Sequence, residues 1–144
     1  MTRQSHALGG FMEAFGKKRV LIVDNSAEAL QTLQGVLEKA GFDTQTTWSG
    51  REALALLKSG EFDVLLVDDY LPDLHSGDFL TQVAMLPIQP GIVVMQAAVP
   101  TADQLLRYAS LGTSGVVPKH HLAEVCKAVA TCCVAEPLAN AGVD

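Results

Sequence analysis

The sequence predicts an α/β domain built on a doubly wound parallel sheet of five strands. Three observations carry that expectation. Apolar runs of strand length alternate five times with stretches of helical periodicity. Two of the runs, Val20-Leu21-Ile22-Val23 and Val64-Leu65-Leu66-Val67, are continuously apolar, the mark of strands buried on both faces. Both then pass directly into an aspartate, Asp24 and Asp68, where a strand leaves the sheet.

The elements follow in order. After a flexible leader over 1–17, the first strand is Arg19 to Val23. Ser26 caps a helix through Ala40, with Leu30, Leu33, Val36 and Leu37 on one face and Gly41 as the stop. Asp43 to Thr47 is a polar strand, suited to the sheet edge. Ser49 caps a second helix, with Ala53, Leu54 and Leu57 inward and Gly60 ending it. The third strand, Asp63 to Val67, leads through a loop to a short helix from Asp78 to Met85. Pro87 and Pro90 announce the fourth strand, Gly91 to Met95. Thr101 caps a fourth helix ending near Ser110, Ser114 to Val117 is the fifth strand, and Leu122 to Cys133 is the fifth helix. Residues 18–133 thus form one domain, and 134–144, with Pro137 and Gly142, a loose tail. Right-handed crossovers and the flavodoxin-like order 2-1-3-4-5 set strands one and three side by side at the switch point.

Composition narrows the function. The chain has 144 residues, 49% hydrophobic and 18% charged, so one domain with a full core is expected. A formal charge of −6 argues against a nucleic-acid surface, which needs clustered Lys and Arg. Lys17-Lys18-Arg19 reads as a solubilising flank. No apolar stretch has the length of a membrane span and no cleavable leader is evident, which points to a cytoplasmic protein. Three cysteines, all near the C-terminus, imply no disulfide framework. Cys126 and Cys133 share a helical face with Leu122, Val125 and Val129 and read as buried thiols.

In the predicted order Asp24 and Asp68 are neighbours at the carboxyl rim, where open α/β sheets bind ligands. Two carboxylates there suit a hard cation, and one of them suits a phosphoryl group. Asp69 and Asp73 add negative charge that helps attract the cation. Trp48, closing the second strand, is placed to pack or to cover a loop. His120 and His121 read as a solvated loop pair. Asp73-Leu74-His75 suggests a cobalamin motif, but Gly77 stands one position too early, and that reading is rejected.

The segments VLIVDNS, EFDVLLVDDYLP and GTSGVVPKH together resemble the response-regulator receiver domain of two-component signalling, over roughly Lys18 to Thr131. The resemblance implies that Asp68 is the phosphorylated aspartate and that Asp24 helps to hold Mg²⁺. It implies further that the Tyr70 carbonyl is a third ligand of the ion and that Lys119 pairs with the phosphoryl oxygens. A carboxylate nucleophile needs positive charge against an incoming phosphoryl group, so these residue types suit the chemistry.

The departures are as informative. Asn25 replaces a second acid, which lowers the ligand charge and predicts Mg²⁺ binding weaker by at least the order of 10–100-fold that a lost supporting ligand costs. Gln96 stands where the family has a Thr or Ser that moves onto the phosphoryl group, and Val116 where an aromatic side chain rotates inward. His120 follows Lys119 in place of Pro, which predicts a trans bond there. The segment Pro72 to Gly77 looks one residue longer than usual.

Two functions are expected to compete. One is a receiver that takes a phosphoryl group on Asp68 from a histidine kinase or phosphotransfer protein and alters a protein–protein contact, without being an enzyme in its own right. The other is a degenerate receiver used as a docking or dimerisation module. Helix five, flanked by Ala128, Ala130 and Cys132 beyond its inward stripe, is the expected centre of a homodimer.

Overall fold

The structure is a computed structural model that describes residues 17–143, with side chains described through Cys133. The leader therefore lies outside the described residues, apart from Lys17. Strands β1 (Arg19–Val23), β2 (Asp43–Thr47), β3 (Val64–Asp68), β4 (Gly91–Gln96) and β5 (Gly115–Pro118) alternate with five helices. These are α1 (Ala27–Lys39), α2 (Gly50–Leu57), α3 (Ser76–Ala84), α4 (Ala102–Ser110) and α5 (Leu122–Val143). All strand pairs are parallel, in the order β2-β1-β3-β4-β5, so the polar strand is at an edge as expected. The pairing of Val23 with Val67 brings Asp24 and Asp68 abreast at the rim.

Alternation along the strands divides the core. Leu21, Val23, Leu65, Val67, Ile92 and Val94 face Ala53, Leu57, Phe79, Leu80, Val83 and Tyr108, contributed by α2, α3 and α4. Val20, Ile22, Val64, Leu66, Val93 and Met95 face the other way, against Leu33, Leu37, Val125 and Val129 of α1 and α5. This is the period of two that a pleated strand imposes, read on a sheet covered on both sides. Among the described residues no helix is long and apolar enough to cross a membrane.

Boundaries differ from the sequence expectation at several elements. β3 includes Asp68 and β4 includes Gln96, because Asp68 pairs with Met95 and Gln96 with Pro118. α3 begins at Ser76 rather than Asp78, since the His75 imidazole Nδ1 accepts from the Gly77 amide at 3.1 Å and serves as the cap. α5 runs past Cys133 to Val143, so 134–143 continues the helix instead of forming a separate tail. Its Ala-rich composition favours helix strongly enough to carry the chain through Pro137 and Gly142.

Two contacts fasten opposite ends of the sheet, Arg19 at the amino-terminal ends of the strands and Asp73 at the carboxyl rim. Arg19 is more than a solubilising flank: its guanidinium pairs with Asp43 at 3.2 Å and Glu61 at 2.8 Å and lies 4.7 Å from the centre of the Phe62 ring. Asp73 fastens the β3–α3 loop to α2, accepting from the Ser49 hydroxyl (2.8 Å), the Gly50 amide (2.9 Å) and the Arg51 amide (3.1 Å). Gly50 permits the approach, because a Cβ there would stand 3.1 Å from Leu71 Cδ1 and 3.3 Å from Leu74 Cβ. Burial opposes the Asp73 charge, yet the hydrogen bonds from Gly50, Arg51 and Ser49 prevail and hold its carboxyl below the usual carboxylate range. Asp73→Ala should therefore cost about 1–2 kcal/mol at neutral pH in urea unfolding, as the loss of a helix cap does. The contribution of a carboxyl with a lowered pKa is present above the ordinary range and lost as pH falls through it, so the variant and wild type should converge in acid. A difference that persists unchanged at low pH would mean that the carboxylate charge is not what stabilises the loop.

Candidate functional site

Three side chains converge where β1, β3 and β5 end. Asp24 is fully buried, and Asp68 is 5% exposed. One Asp24 oxygen, Oδ1, accepts from the Ser26 amide at 2.9 Å, which turns the chain into α1 and fixes the carboxylate plane. That leaves Oδ2, buried, with the Lys119 ammonium 2.8 Å away as its partner. The same ammonium is 3.3 Å from Asp68 Oδ2. Lys119 is aimed there by its own backbone: its amide donates to the Gln96 carbonyl at 2.7 Å, continuing the β4–β5 ladder one residue past the strand.

The pocket therefore holds two carboxylates and one cation. Burial first, and the Asp24 charge second, push the Asp68 carboxyl up to about 6, against the pull of Lys119. For Lys119 burial works against the charge, but Asp24 and Asp68 outweigh it and raise its pKa above the usual lysine value. A carboxylate left electron-rich at a solvent-facing rim, beside a fixed ammonium, has the elements of a nucleophile with a built-in counter-charge.

The predicted site residues divide cleanly. Asp24, Asp68 and Lys119 come together, and the anionic oxygens of the two aspartates fit a hard divalent cation. Asn25 is exposed, and Tyr70, whose carbonyl is the expected ligand, has its side chain 63% exposed. Among the described residues no group of three or more His, Cys, Asp or Glu gathers as a metal site. Gln96 is buried at the end of β4 but its amide is turned to α4, donating to Gln104 Oε1 at 3.0 Å. Val116 is half-buried against the core cluster of α2, α3 and α4. The bond between Lys119 and His120 is trans, as expected.

Other expectations are corrected. Asp73 is engaged by the α2 N-terminus, so its charge serves the loop rather than a cation. Trp48 is 61% exposed, so it is not part of the packed core. His121 meets Glu124 at 3.1 Å on the surface while His120 is exposed, which fits a solvated pair. The thiols of Cys126, Cys132 and Cys133 are half-buried against the second core cluster and pushed up by burial, as apolar fillers should be. Tyr108 escaped the sequence reading altogether. It lies on α4, is 9% exposed, and packs in the core cluster with Phe79 and Val94. Its signal in the sequence was a tyrosine at an inward helical position before Gly112.

Comparison with known proteins agrees with this geometry. The family model of the response regulator receiver domain matches residues 20–130. The chemotaxis protein CheY of Pseudomonas aeruginosa is 32% identical over 111 residues, which cover 76% of this chain and 90% of that protein. The cell cycle transcriptional regulator CtrA of Caulobacter vibrioides is 30% identical over 80 residues, 56% of this chain but only 35% of that protein. The chain thus matches about a third of the length of that longer relative. In fold, a response regulator receiver domain protein from Clostridium thermocellum superposes with a TM-score of 0.75 at 18% identity, covering 84% of this chain and 98% of the other.

The charge balance makes a prediction that needs no ligand. Asp68→Asn removes the less tolerated anion and leaves Asp24 to pair with Lys119. In metal-free buffer at pH 7 the variant should melt about 2–8 °C above wild type. Since the folded-state pKa of Asp68 is raised, wild type gains stability as pH falls through about 6 and loses it as pH rises. The gap between the two proteins should be widest above neutrality and close toward pH 4. A wild type more stable than the variant at pH 7 would show that Lys119 overcompensates the burial of Asp68.

Proposed function

Because this chain belongs to the response-regulator receiver domain family, we propose that Asp68 accepts a phosphoryl group from a histidine kinase or phosphotransfer protein and thereby adjusts a protein–protein contact. The observation that carries the reading is the Lys119 ammonium held between Asp24 and Asp68. An Asp68 oxygen attacks phosphorus, the phosphorus–nitrogen bond of the donor breaks, and its electron pair returns to the imidazole, which takes up a proton. Lys119 then follows the charge from the carboxylate to the phosphoryl oxygens.

Asp24, Asp68 and the Tyr70 carbonyl would hold Mg²⁺, with Asn25 a neutral fourth contributor. The ion when bound supplies electrostatic relief for the transferring group. Lys119 competes with it, since its ammonium occupies the same carboxylate oxygens, and Asn25 adds no charge to offset that competition. The binding is accordingly weak. The protein works in the cytoplasm and serves as a signalling module, with no turnover of a substrate of its own.

Incubation with Mg²⁺ and acetyl phosphate should add one phosphoryl group by mass, and EDTA or Asp68→Asn should abolish it. Asn25→Asp should lower the Mg²⁺ needed for half-maximal modification about tenfold or more. A wild type that stays unmodified at saturating Mg²⁺ and donor would leave the docking-module reading in its place.

That second reading has an observation in its favour. Leu105 and Leu106 on α4 are 45% and 70% exposed, and Val99 ahead of them is 76% exposed. On α5 the expected flank, Ala128, Ala130 and Cys132, is half-buried against the core. The apolar contact of a homodimer thus comes largely from α4, which lies on the opposite face of the sheet from helix five. In sedimentation, Leu106→Glu should dissociate the dimer more completely than Ala128→Glu. A wild type that is monomeric at all concentrations would dispose of the dimer.

A further inference from the structure

The side chain of Gln96 is committed before any phosphoryl group arrives. Its carboxamide nitrogen donates to Gln104 Oε1 at 3.0 Å and to the Ala98 carbonyl at 3.3 Å, which uses both of its hydrogens. Gln104 Oε1 at the same time accepts from the Thr101 amide at 3.0 Å, while the Thr101 hydroxyl accepts from the Gln104 amide at 3.2 Å. One oxygen therefore closes the capping box of α4 and ties that helix to the end of β4. The backbone of Gln96 is fixed as well, between Pro118 in the ladder and the Lys119 amide at 2.7 Å.

The other end of the Gln96 amide, Oε1, is buried without a hydrogen-bond partner. Turning the amide over would bring that oxygen against Gln104 Oε1, two acceptors face to face, so hydrogen bonding sets its orientation. In that orientation Gln96 has only an acceptor to spare, and an acceptor repels an anionic phosphoryl oxygen. To donate instead, it would have to release Gln104 and open a capping box. A second fastening lies toward the other end of α4, at Tyr108, which is 9% exposed. Tyr108 is itself packed in the core cluster that contains Phe79 and Val94.

We propose that Gln96 and Gln104 form a clasp that holds α4 on the sheet, with Tyr108 as its second anchor, so that phosphorylation of Asp68 leaves the α4 face in place. This rests on the phosphoacceptor reading of Asp68. The α4 surface carrying Leu105 and Leu106 is then a fixed contact. A shorter hydroxyl side chain at position 96 could not span the distance to Gln104, so the clasp depends on the length of glutamine.

Amide hydrogen exchange over residues 102–110 tests it. Gln96→Met keeps side-chain length and the capping box but removes the tie, and should speed exchange in α4 about tenfold. Gln104→Ala should do so at least as strongly. Gln104→Glu, which still accepts from both Gln96 and Thr101, should stay within about twofold of wild type, and Tyr108→Ala, which removes the packed ring, should loosen the last turn. After acetyl phosphate treatment, with uptake confirmed by mass, exchange in wild-type α4 should not change, whereas in Gln96→Met it should. Exchange in unmodified Gln96→Met equal to wild type would overturn the clasp. A wild-type α4 that responds to phosphorylation would overturn the insulation. If no protein takes up a phosphoryl group, the phosphoacceptor reading falls and the insulation with it, while the unmodified comparison still decides the clasp.

Discussion

A single ammonium shared by two buried carboxylates is the interaction around which the rim of this sheet is arranged. Taking Asp24 and Asp68 out of water is costly, and two like charges at adjacent strand ends add repulsion to desolvation. Lys119 offsets both, at 2.8 Å and 3.3 Å, and it can do so only because β5 carries it there with its backbone bonded to Gln96. The compensation is incomplete, as the raised pKa of Asp68 records. An arrangement left one positive charge short favours the arrival of a cation at the rim.

Around that triad the loops are occupied with holding themselves still. Ser26, Ser49 and Thr101 cap the helices that start there, Asp73 binds the β3–α3 loop to α2, and Gln104 binds α4 to β4. The caps and the Asp73 bonds satisfy backbone amides that a helix start leaves open. The same groups that would be available to move on activation are thus engaged in structure. A receiver framework with two buried aspartates and a lysine at its rim, and with glutamine and valine at positions 96 and 116, is the physical character of this chain.

Much of the fold was legible because it rests on periodicity. The apolar runs from Val20 and Val64 could only be inner strands, and the polar run from Asp43 could only be an edge. The Ser26, Ser49 and Thr101 caps were readable because capping is local chemistry within four residues. The start of α3 was not, since it depends on a histidine ring turning back onto Gly77, and histidine is an uncommon cap. Nor was the end of α5, where Pro137 and Gly142 argued against a helix that composition favours.

At the site the division follows the range of the interactions. By itself the sequence determined which residues leave the sheet at its carboxyl rim, because strand length and strand order fix where Asp24, Asp68 and Lys119 must emerge. It also determined what is missing there: the second acid, the hydroxyl and the aromatic. Only the tertiary structure decided how the remaining side chains are used. Asp73 was expected near a cation and instead binds α2 across 22 to 24 positions of chain. Gln96 stands at the position of the family's hydroxyl residue and its amide faces Gln104, and Tyr108 of α4 packs into the core cluster with Phe79 and Val94. A side-chain amide or carboxylate takes whichever partner the packed elements place within 3 Å, and that distance is set by how helices lie on the sheet rather than by the order of residues along the chain.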